Sequence, residues 1–246
     1  MATEARQQII DRYSQLARSA LAGSAITDDD AEAFGDGRFG AAAYADHDDA
    51  PETALQASLG CGNPLAVADL RSGEDVLDLG SGGGLDVLLS ARRVAPTGTA
   101  YGLDASADML ALARSNASKA QTSNARFLHG HIEAIPLPGN HVDVVISNCV
   151  INLSGDKPRV LAEAFRVLKP GGRLGITDIT ADEDASQAQL ALAEKQIGCQ
   201  ASFLSQPEYK RLLLTAGFTH VTITTTSPAA PGLHSAIIQA TKPVAD

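Results

Sequence analysis

The sequence contains no tryptophan, and aromatic residues make up only 4% of its 246 residues. Alanine, leucine, valine and isoleucine must therefore fill the core, a composition that suits helices packed against a parallel sheet. No apolar run approaches the roughly 20 residues that span a bilayer. Residues 1–6 are polar and lack the apolar stretch of a secretion signal. We therefore expect a cytoplasmic protein with no membrane partner.

Clusters of lysine and arginine are also missing, and the formal net charge is −10. The densest basic spot is Arg92-Arg93, which falls at the end of a predicted helix, where cations complement the helix dipole. Proteins that bind nucleic acid usually present a basic face or stripe. We therefore expect no nucleic-acid partner and a small-molecule substrate.

Cysteine is scarce, with Cys61, Cys149 and Cys199 as the only three. An odd and sparse set in a cytoplasmic protein predicts reduced thiols rather than structural disulfides. The intervals between these residues match no zinc-binding pattern. Taken by spacing alone, the three cysteines are most simply small buried apolar residues.

From residue 74 onward, apolar runs and helical patterns alternate regularly. The predicted strands are Asp75–Leu79, Thr99–Leu103, Ala125–Leu128, Val142–Ser147, Arg173–Asp178, Val221–Thr225 and Ser235–Ala240. The predicted helices are residues 1–20, Leu85–Val94, Ala107–Ala120, Lys157–Leu168, Ala185–Gly198 and Pro207–Ala216. Residues 22–58 are rich in glycine, alanine and aspartate and predict a loosely ordered cap.

This alternation predicts an α/β fold with a doubly wound, Rossmann-like sheet, because right-handed βαβ crossovers produce parallel strands. The last two strands have no helix between them and predict a hairpin. The sheet should therefore be mostly parallel with an antiparallel edge strand. Residues 1–58 form the predicted N-terminal extension of helix and flexible cap, and residues 59–246 form the main domain.

The most informative motif is the glycine-rich turn from Asp78 to Asp86, between the first predicted strand and the next helix. Ligands of open α/β sheets bind at such turns, where glycine lets the backbone pass close to them. The dinucleotide pattern G-x-G-x-x-G fails here because Leu85 stands in place of the third glycine. A carboxylate at Asp78 suits a ligand that carries an ammonium group rather than a pyrophosphate.

A second acidic residue, Asp104, ends the second predicted strand, 18 residues after Asp86. A carboxylate at this place accepts two hydrogen bonds from ribose hydroxyls. The competing interpretation is a helix N-cap, because a predicted helix begins directly after it.

Together with the turn Leu168-Lys169-Pro170-Gly171-Gly172, these residues resemble the class I S-adenosylmethionine-dependent methyltransferases over residues 60–225. The resemblance implies that residues 59–246 form a methyltransferase domain with S-adenosylmethionine as its cofactor. It implies that Asp104 holds the ribose, that Met109 and Ile132 flank the adenine, and that the methionine portion lies at the glycine-rich turn. The residues it assigns to that turn are Asp78, Gly80, Ser81, Gly82, Gly84 and Asp86. His131 stands where many members have aspartate, so Glu133 or the backbone would take over that adenine contact.

The segments around the cysteines carry a narrower resemblance. The runs Gly60-Cys61-Gly62-Asn63-Pro64, "SNCVINL" at residues 147–153 with Asp156-Lys157, and Gly198-Cys199 resemble the arsenite methyltransferases. The resemblance implies that Cys149 and Cys199 are the primary arsenic ligands and that Cys61 is the third. Asn148 adjoins Cys149, and this position predicts that it orients the cofactor or caps the strand. Trivalent arsenic is soft and prefers thiolate ligands. Its lone pair would attack the methyl group of the cofactor, so no general base is needed.

By this resemblance the function is the detoxification of arsenic through methylation of arsenite and of methylarsenite. The reaction would use a thiol reductant, glutathione or the thioredoxin system, and a thiol-disulfide reductant protein as partner. Family members often carry a fourth cysteine near the N-terminus, and residues 1–58 contain none. Two other functions stay open: methylation of a small quinone-like or sterol-like molecule, and metalloid binding without catalysis.

Overall fold

The computed structural model describes residues 2–22, 51, 53, 54, 62, 68–186, 189–191 and 202–244. Its helices are α1 (Ala2–Leu21), α2 (Leu85–Val94), α3 (Ala107–Lys119), α4 (Lys157–Val167) and α5 (Gln206–Thr215), with a 3-10 turn at Ile151–Leu153. Its strands are β1 (Val76–Leu79), β2 (Ala100–Asp104), β3 (Ala125–His129), β4 (Val142–Asn148), β5 (Leu168–Ala181), β6 (Leu204–Ser205), β7 (Thr219–Ala230) and β8 (Leu233–Thr241).

The strands form one sheet in the order β3-β2-β1-β4-β5-β8-β7, and the short β6 pairs with β5. β1 lies parallel to both β2 and β4, so that Leu77 pairs with Tyr101 on one side and with Val145 on the other. The chain first builds outward through β2 and β3 and then continues on the other side of β1. The direction of winding therefore reverses between β1 and β4, and ligands of such sheets bind at this reversal.

The terminal hairpin is confirmed: β8 runs antiparallel to β5, and β7 lies outside it at the edge, antiparallel to β8. Both strands are longer than their predicted cores. The turn of Pro170, Gly171 and Gly172, expected to precede β5, is instead part of it. The register between β4 and β5 shifts there. The N–H of Gly171 donates to the carbonyl of Lys242, and the N–H of Lys242 donates to the carbonyl of Gly172.

The helix predicted at Ala185–Gly198 falls largely outside the described residues, as does the predicted cap at residues 22–58. The other predicted helices are present within one or two residues of their expected bounds. The core lies on the two faces of the sheet, and all four residues of β1 are buried. A strand covered on both faces is typical of a parallel α/β sheet.

Helix α1 packs on α3 through a small apolar cluster that includes Leu16, Ala17, Met109 and Leu112. The hydroxyls of Ser14 and Ser106 lie 2.8 Å apart, and this hydrogen bond fixes the rotation of α1 on α3. The N-terminal helix is therefore docked against the sheet domain. Across the part of the chain that the structure describes, none of the helices is apolar enough over sufficient length to cross a membrane.

Candidate functional site

A cavity opens at the carboxyl ends of β1, β2 and β4, at the reversal of the sheet. Most of its lining residues come from four regions: α1, the glycine-rich turn after β1, the ends of β2 and β3, and the segment after β4. The predicted site residues in this lining are Asp78, Gly80, Ser81, Gly82, Asp86, Asp104, Met109, Ile132, Glu133, Asn148 and Cys149. Gly84 is not part of the lining, whereas Gly83, which the sequence did not single out, is.

Asp78 is 3% exposed, and its Oδ1 accepts no hydrogen bond from any described residue. Burial, followed by the nearby Asp86 and Asp104 carboxylates, raises the pKa of Asp78 well above its usual value. A buried carboxylate without donors is costly, so the site is arranged for a ligand that supplies them. Three carboxylates around one cavity favour a ligand that carries positive charge.

The glycine-rich turn has left-handed backbone at three glycines, Gly80, Gly82 and Gly84, and the first two differ in their surroundings. Gly80 has a φ of +74°, and a Cβ at this position would lie 2.5 Å from a methyl of Val150. Gly82 has a φ of +49°, and a Cβ there would have no atom of the described residues within 4 Å. The turn therefore packs tightly against the segment after β4 at Gly80 and opens into the cavity at Gly82. Gly84 serves packing, because its Cβ would lie 3.0 Å from that of Ala113.

We expect Gly80→Ala to lower the free energy of unfolding by about 2–4 kcal/mol, through left-handed backbone strain together with the displacement of Val150. Gly82→Ala is the matched control, since it adds only the strain of about 1–2 kcal/mol. Urea unfolding of both variants measures the difference. Equal losses of stability would show that contact with Val150 does not constrain the turn.

The carboxylate of Asp104 accepts hydrogen bonds from the backbone N–H of Gly82 (2.9 Å) and of Ser106 (2.8 Å). It thereby fastens the glycine-rich turn to the end of β2. The N-cap of α3 is Ser106, whose Oγ accepts the N–H of Met109. This excludes the N-cap interpretation of Asp104. Each of its oxygens keeps a second lone pair for a ligand hydroxyl.

Glu133 joins three parts of the cavity wall. Its Oε1 accepts hydrogen bonds from Arg6 of α1 (3.0 Å) and from Ser154 after β4 (2.6 Å). His131 also lines the cavity and forms an isolated backbone bridge with Ala134. The side chain of Glu133 therefore anchors α1 to the site in addition to facing the cavity.

The sequence analysis missed the contribution of α1, whose Arg6, Ile9, Ile10 and Tyr13 line the cavity. The signal available was the apolar spacing of Ile9, Ile10 and Tyr13, which predicts one buried face of a helix. That spacing could not identify what covers the face. The structure shows that α1 closes one side of the site.

Cys149 lies at the end of β4 and lines the same cavity as Asp78 and Gly80. Its φ of +58° is left-handed, which is uncommon for a residue with a side chain and is found chiefly where surrounding contacts impose it. One such contact is the hydrogen bond from its N–H to the carbonyl of Thr177, at 2.9 Å. Backbone geometry of this kind is frequent at functional sites.

Cys149 is disulfide-bonded in the structure, so the expectation of reduced thiols is wrong for this residue. That expectation rested on compartment and cysteine count, which do not report whether thiols meet in the fold. Cys61 and Cys199 lie outside the described residues. Their predicted place beside Cys149 therefore stays a prediction.

Asn148 connects the cavity to the segment before β1. Its Nδ2 donates to the carbonyl of Gly62 (2.7 Å), and its Oδ1 accepts from the hydroxyl of Thr177 (2.9 Å). A Cβ on Gly62 would lie 2.9 Å from the side chain of Thr177. Asn148 thus holds the residue that directly follows Cys61 against the end of β4 and β5.

Residues 70–217 match the family described as a methyltransferase domain. The chain is 38% identical over 233 residues to an arsenite methyltransferase of Halobacterium salinarum, covering 89% of this chain and 59% of that protein. It is 39% identical over 171 residues to an arsenite methyltransferase of Aquipseudomonas alcaligenes, covering 65% of this chain and 48% of that protein. The chain thus spans about half the length of the curated relatives it matches.

A solved structure extends the similarity to three dimensions. The crystal structure of an arsenic(III) S-adenosylmethionine methyltransferase from Chlamydomonas reinhardtii matches with a TM-score of 0.65 and 31% sequence identity. The match covers 80% of this chain and 71% of that chain. The similarity therefore extends to the fold over most of this chain.

Proposed function

The chain belongs to the methyltransferase-domain family, and we propose that it transfers methyl groups from S-adenosylmethionine to trivalent arsenic held by cysteine sulfur. The observation that carries the proposal is the position of Cys149. Cys149 lines the same cavity as the carboxylate of Asp78, whose Oδ1 accepts no hydrogen bond from the described residues. A soft ligand for arsenic and a site for a cationic methyl donor are therefore neighbours.

The cavity residues fit S-adenosylmethionine, which supplies a methyl group on a positively charged sulfur when it is bound. We assign Asp78 to the ammonium group, because its Oδ1 is buried and accepts no hydrogen bond from the described residues. We assign Asp104 to the ribose and Met109 and Ile132 to the adenine. Ser81 would add a donor near the methionine portion, because its buried hydroxyl also has no described partner.

The other predicted cofactor residues are assigned from their positions in the cavity wall. Gly80 and Gly82 let the methionine portion approach the backbone, and the carboxylate of Asp86 adds negative charge beside it. Glu133 follows β3 and accepts a hydrogen bond from Arg6 of α1, so we assign it to holding α1 against the cofactor site. Asn148 acts by holding Gly62 and Thr177 together at the methyl-transfer end of the cavity.

Arsenic enters this scheme as the substrate. We assign Cys149 and Cys199 as its primary ligands and Cys61 as the third, because thiolates bind soft centres preferentially. Three sulfur ligands leave the lone pair of arsenic exposed toward the methyl group. The lone pair forms the new As–C bond while the C–S bond breaks, and that electron pair remains on sulfur. Holding the two reactants in one cavity replaces a bimolecular encounter by a positioned one.

The disulfide at Cys149 supports a requirement for a thiol reductant. Two equivalents of a thiol reduce one disulfide, and the oxidised reductant leaves as a disulfide. Each methyl transfer also uses the lone pair of arsenic, so two further electrons restore its trivalent state. We infer that glutathione or a thioredoxin-type protein supplies them. Such a reaction belongs in the reducing cytoplasm.

The proposal is tested with the purified chain, arsenite, S-adenosylmethionine and a thiol reductant. Arsenic species are separated by chromatography and detected by element-specific mass spectrometry. We expect methylated arsenic that depends on the cofactor and on the reductant. If arsenite stays unmethylated while the chain binds S-adenosylmethionine, arsenic is not the substrate. Small organic molecules then become the proposed methyl acceptors. If the cofactor does not bind at all, the chain is not an active methyltransferase by itself.

A further inference from the structure

A buried polar cluster lies behind the cavity and has no role in the scheme above. Asp178 of β5 accepts hydrogen bonds from Asn152 Nδ2 (2.8 Å) and from the hydroxyl of Tyr209 in α5 (3.2 Å). All three side chains are at most 4% exposed, and none of them lines the cavity. Buried polar groups are costly unless they are hydrogen-bonded, and once bonded they fix one arrangement of the segments that carry them. The segments joined here are β5, α5 and the 3-10 turn that follows Cys149.

Asn152 lies in that 3-10 turn and donates twice to the same strand. Its Nδ2 donates to the carboxylate of Asp178 (2.8 Å) and to the carbonyl of Ile179 (2.7 Å). A backbone carbonyl can only accept, so the amide of Asn152 has one orientation that satisfies both bonds. Its Oδ1 accepts no hydrogen bond from any described residue. The side chain therefore acts as a double donor directed at β5.

The four residues from Cys149 to Asn152 are consequently fastened to β5 at both ends. At the first end, the N–H of Cys149 donates to the carbonyl of Thr177 at 2.9 Å. At the second end, Asn152 binds the next two residues of the strand. Three residue steps of the loop lie beside at most two steps of the strand, so the loop cannot run extended. Cys149 lies within this compressed loop and has its left-handed φ of +58°, a conformation that persists only where surrounding contacts impose it.

Resting on the proposed function, we propose that Asn152 is a positioning residue that holds Cys149 in its left-handed conformation and so keeps the arsenic-binding side chain in the cavity wall. Tyr209 supports this hold, because it donates to the other oxygen of the same Asp178 carboxylate. A change of φ at Cys149 to a negative value redirects its Cα–Cβ bond relative to the chain. A reacting group misplaced by about 1 Å costs about a hundredfold in rate.

The cofactor side of the cavity is fastened separately. The N–H groups of Gly80 and Ser81 donate to the carbonyl of Leu103 in β2, at 2.8 and 3.0 Å. These bonds hold the glycine-rich turn without Asn152. Loss of the hold on Cys149 should therefore impair arsenic methylation and leave the binding of S-adenosylmethionine unchanged.

The first test is a double-mutant cycle between Asn152→Ala and Cys149→Gly, measured by urea unfolding of chains reduced with a phosphine. If Asn152 holds a strained backbone, its removal lets Cys149 relax, and this relaxation offsets part of the lost stability. Glycine has no such strain to release. Asn152→Ala should therefore lower the ratio of folded to unfolded chain further in the Cys149→Gly background, by about fivefold to thirtyfold.

Asn124→Ala is the matched control for this cycle. The Nδ2 of Asn124 also donates twice, to the carbonyls of Ala91 (2.8 Å) and Gly98 (2.9 Å), and Asn124 does not line the cavity. Its replacement should destabilise the chain by the same factor with cysteine or glycine at position 149. It should also leave the kinetics of methylation unchanged.

The second test is the kinetics of arsenic methylation. For Asn152→Ala we expect kcat/KM for arsenite to fall about tenfold to a hundredfold, with the KM for S-adenosylmethionine unchanged. Tyr209→Phe keeps the ring and removes the hydroxyl that binds Asp178, so it should show the same pattern with a loss of about twofold to tenfold. This variant decides the matter if Asn152→Ala does not fold.

Equal destabilisation by Asn152→Ala in both backgrounds, or an unchanged kcat/KM for arsenite, would overturn the positioning role. So would a raised KM for S-adenosylmethionine as the main effect, because the side chain would then serve the cofactor site. A coupled cycle in a chain that methylates no arsenic would instead overturn the proposed function and leave the hold on Cys149 standing.

Discussion

Replacing Cys149 with serine is expected to abolish arsenite methylation while S-adenosylmethionine still binds. The hydroxyl is a hard ligand that holds trivalent arsenic poorly, and its geometry otherwise matches the thiol. The backbone hydrogen bond to Thr177 is kept, so the end of β4 should not move. The rate should fall more than about a hundredfold, the size expected when a reactant is no longer positioned. Initial rates from arsenic speciation and calorimetric binding of the cofactor measure the two effects.

A second variant, Cys149→Gly, separates chemistry from folding. Glycine adopts the left-handed φ of +58° without steric cost, so this variant should be at least as stable as the unmodified chain with Cys149 reduced. It should nevertheless be as inactive as Cys149→Ser, because both lack sulfur. Wild-type rates of arsenic methylation in either variant would remove Cys149 from the ligand set. Arsenic would then stay the substrate, with other groups as its ligands.

The fold of residues 74–180 was largely predictable because its elements are short and end at clear signals. β1 is a four-residue strand with three apolar residues, it is followed by glycines, and α2 begins directly after them, as expected. The bounds of β5 were less predictable, because proline and two glycines at residues 170–172 are typical of a turn outside a strand. Its inclusion in the strand depends on hydrogen bonds to Lys242, about 70 residues later in the chain.

The candidate site was predictable where a residue's place on a strand end determines its role. Asp78 and Asp104 end neighbouring parallel strands, so their meeting follows from the fold. The contributions of Arg6 and Glu133 were not predictable, since they depend on which segments dock together. An amphipathic pattern shows that α1 buries one face but not that the face covers the cavity. Such docking is set by tertiary packing, which one sequence does not display.

Asp78→Asn is expected to weaken the binding of S-adenosylmethionine by about tenfold to a hundredfold, the loss of a hydrogen bond between charged groups. S-adenosylhomocysteine should lose a similar factor, because it keeps the ammonium group and lacks only the charged sulfur. In the free protein the pKa of Asp78 is raised by burial and by Asp86 and Asp104. Binding a cation requires the ionised form, so affinity should rise with pH up to that raised pKa. The variant should lose this dependence, and calorimetric titration across the neutral range measures it.

The same substitution should stabilise the ligand-free protein. A carboxyl whose pKa is raised by folding contributes stability below its unfolded pKa and loses that contribution as pH rises toward its folded pKa. Asparagine carries no charge to bury, so Asp78→Asn should unfold at higher urea concentration than the unmodified chain at neutral pH. Asp143→Asn is the matched control: its carboxylate accepts from Lys169 (2.8 Å) and the N–H of Asp75 (2.9 Å), at the opposite end of the sheet. That variant should lose stability and keep cofactor affinity. A less stable Asp78→Asn that binds both ligands normally would assign Asp78 to the fold and not to the cofactor.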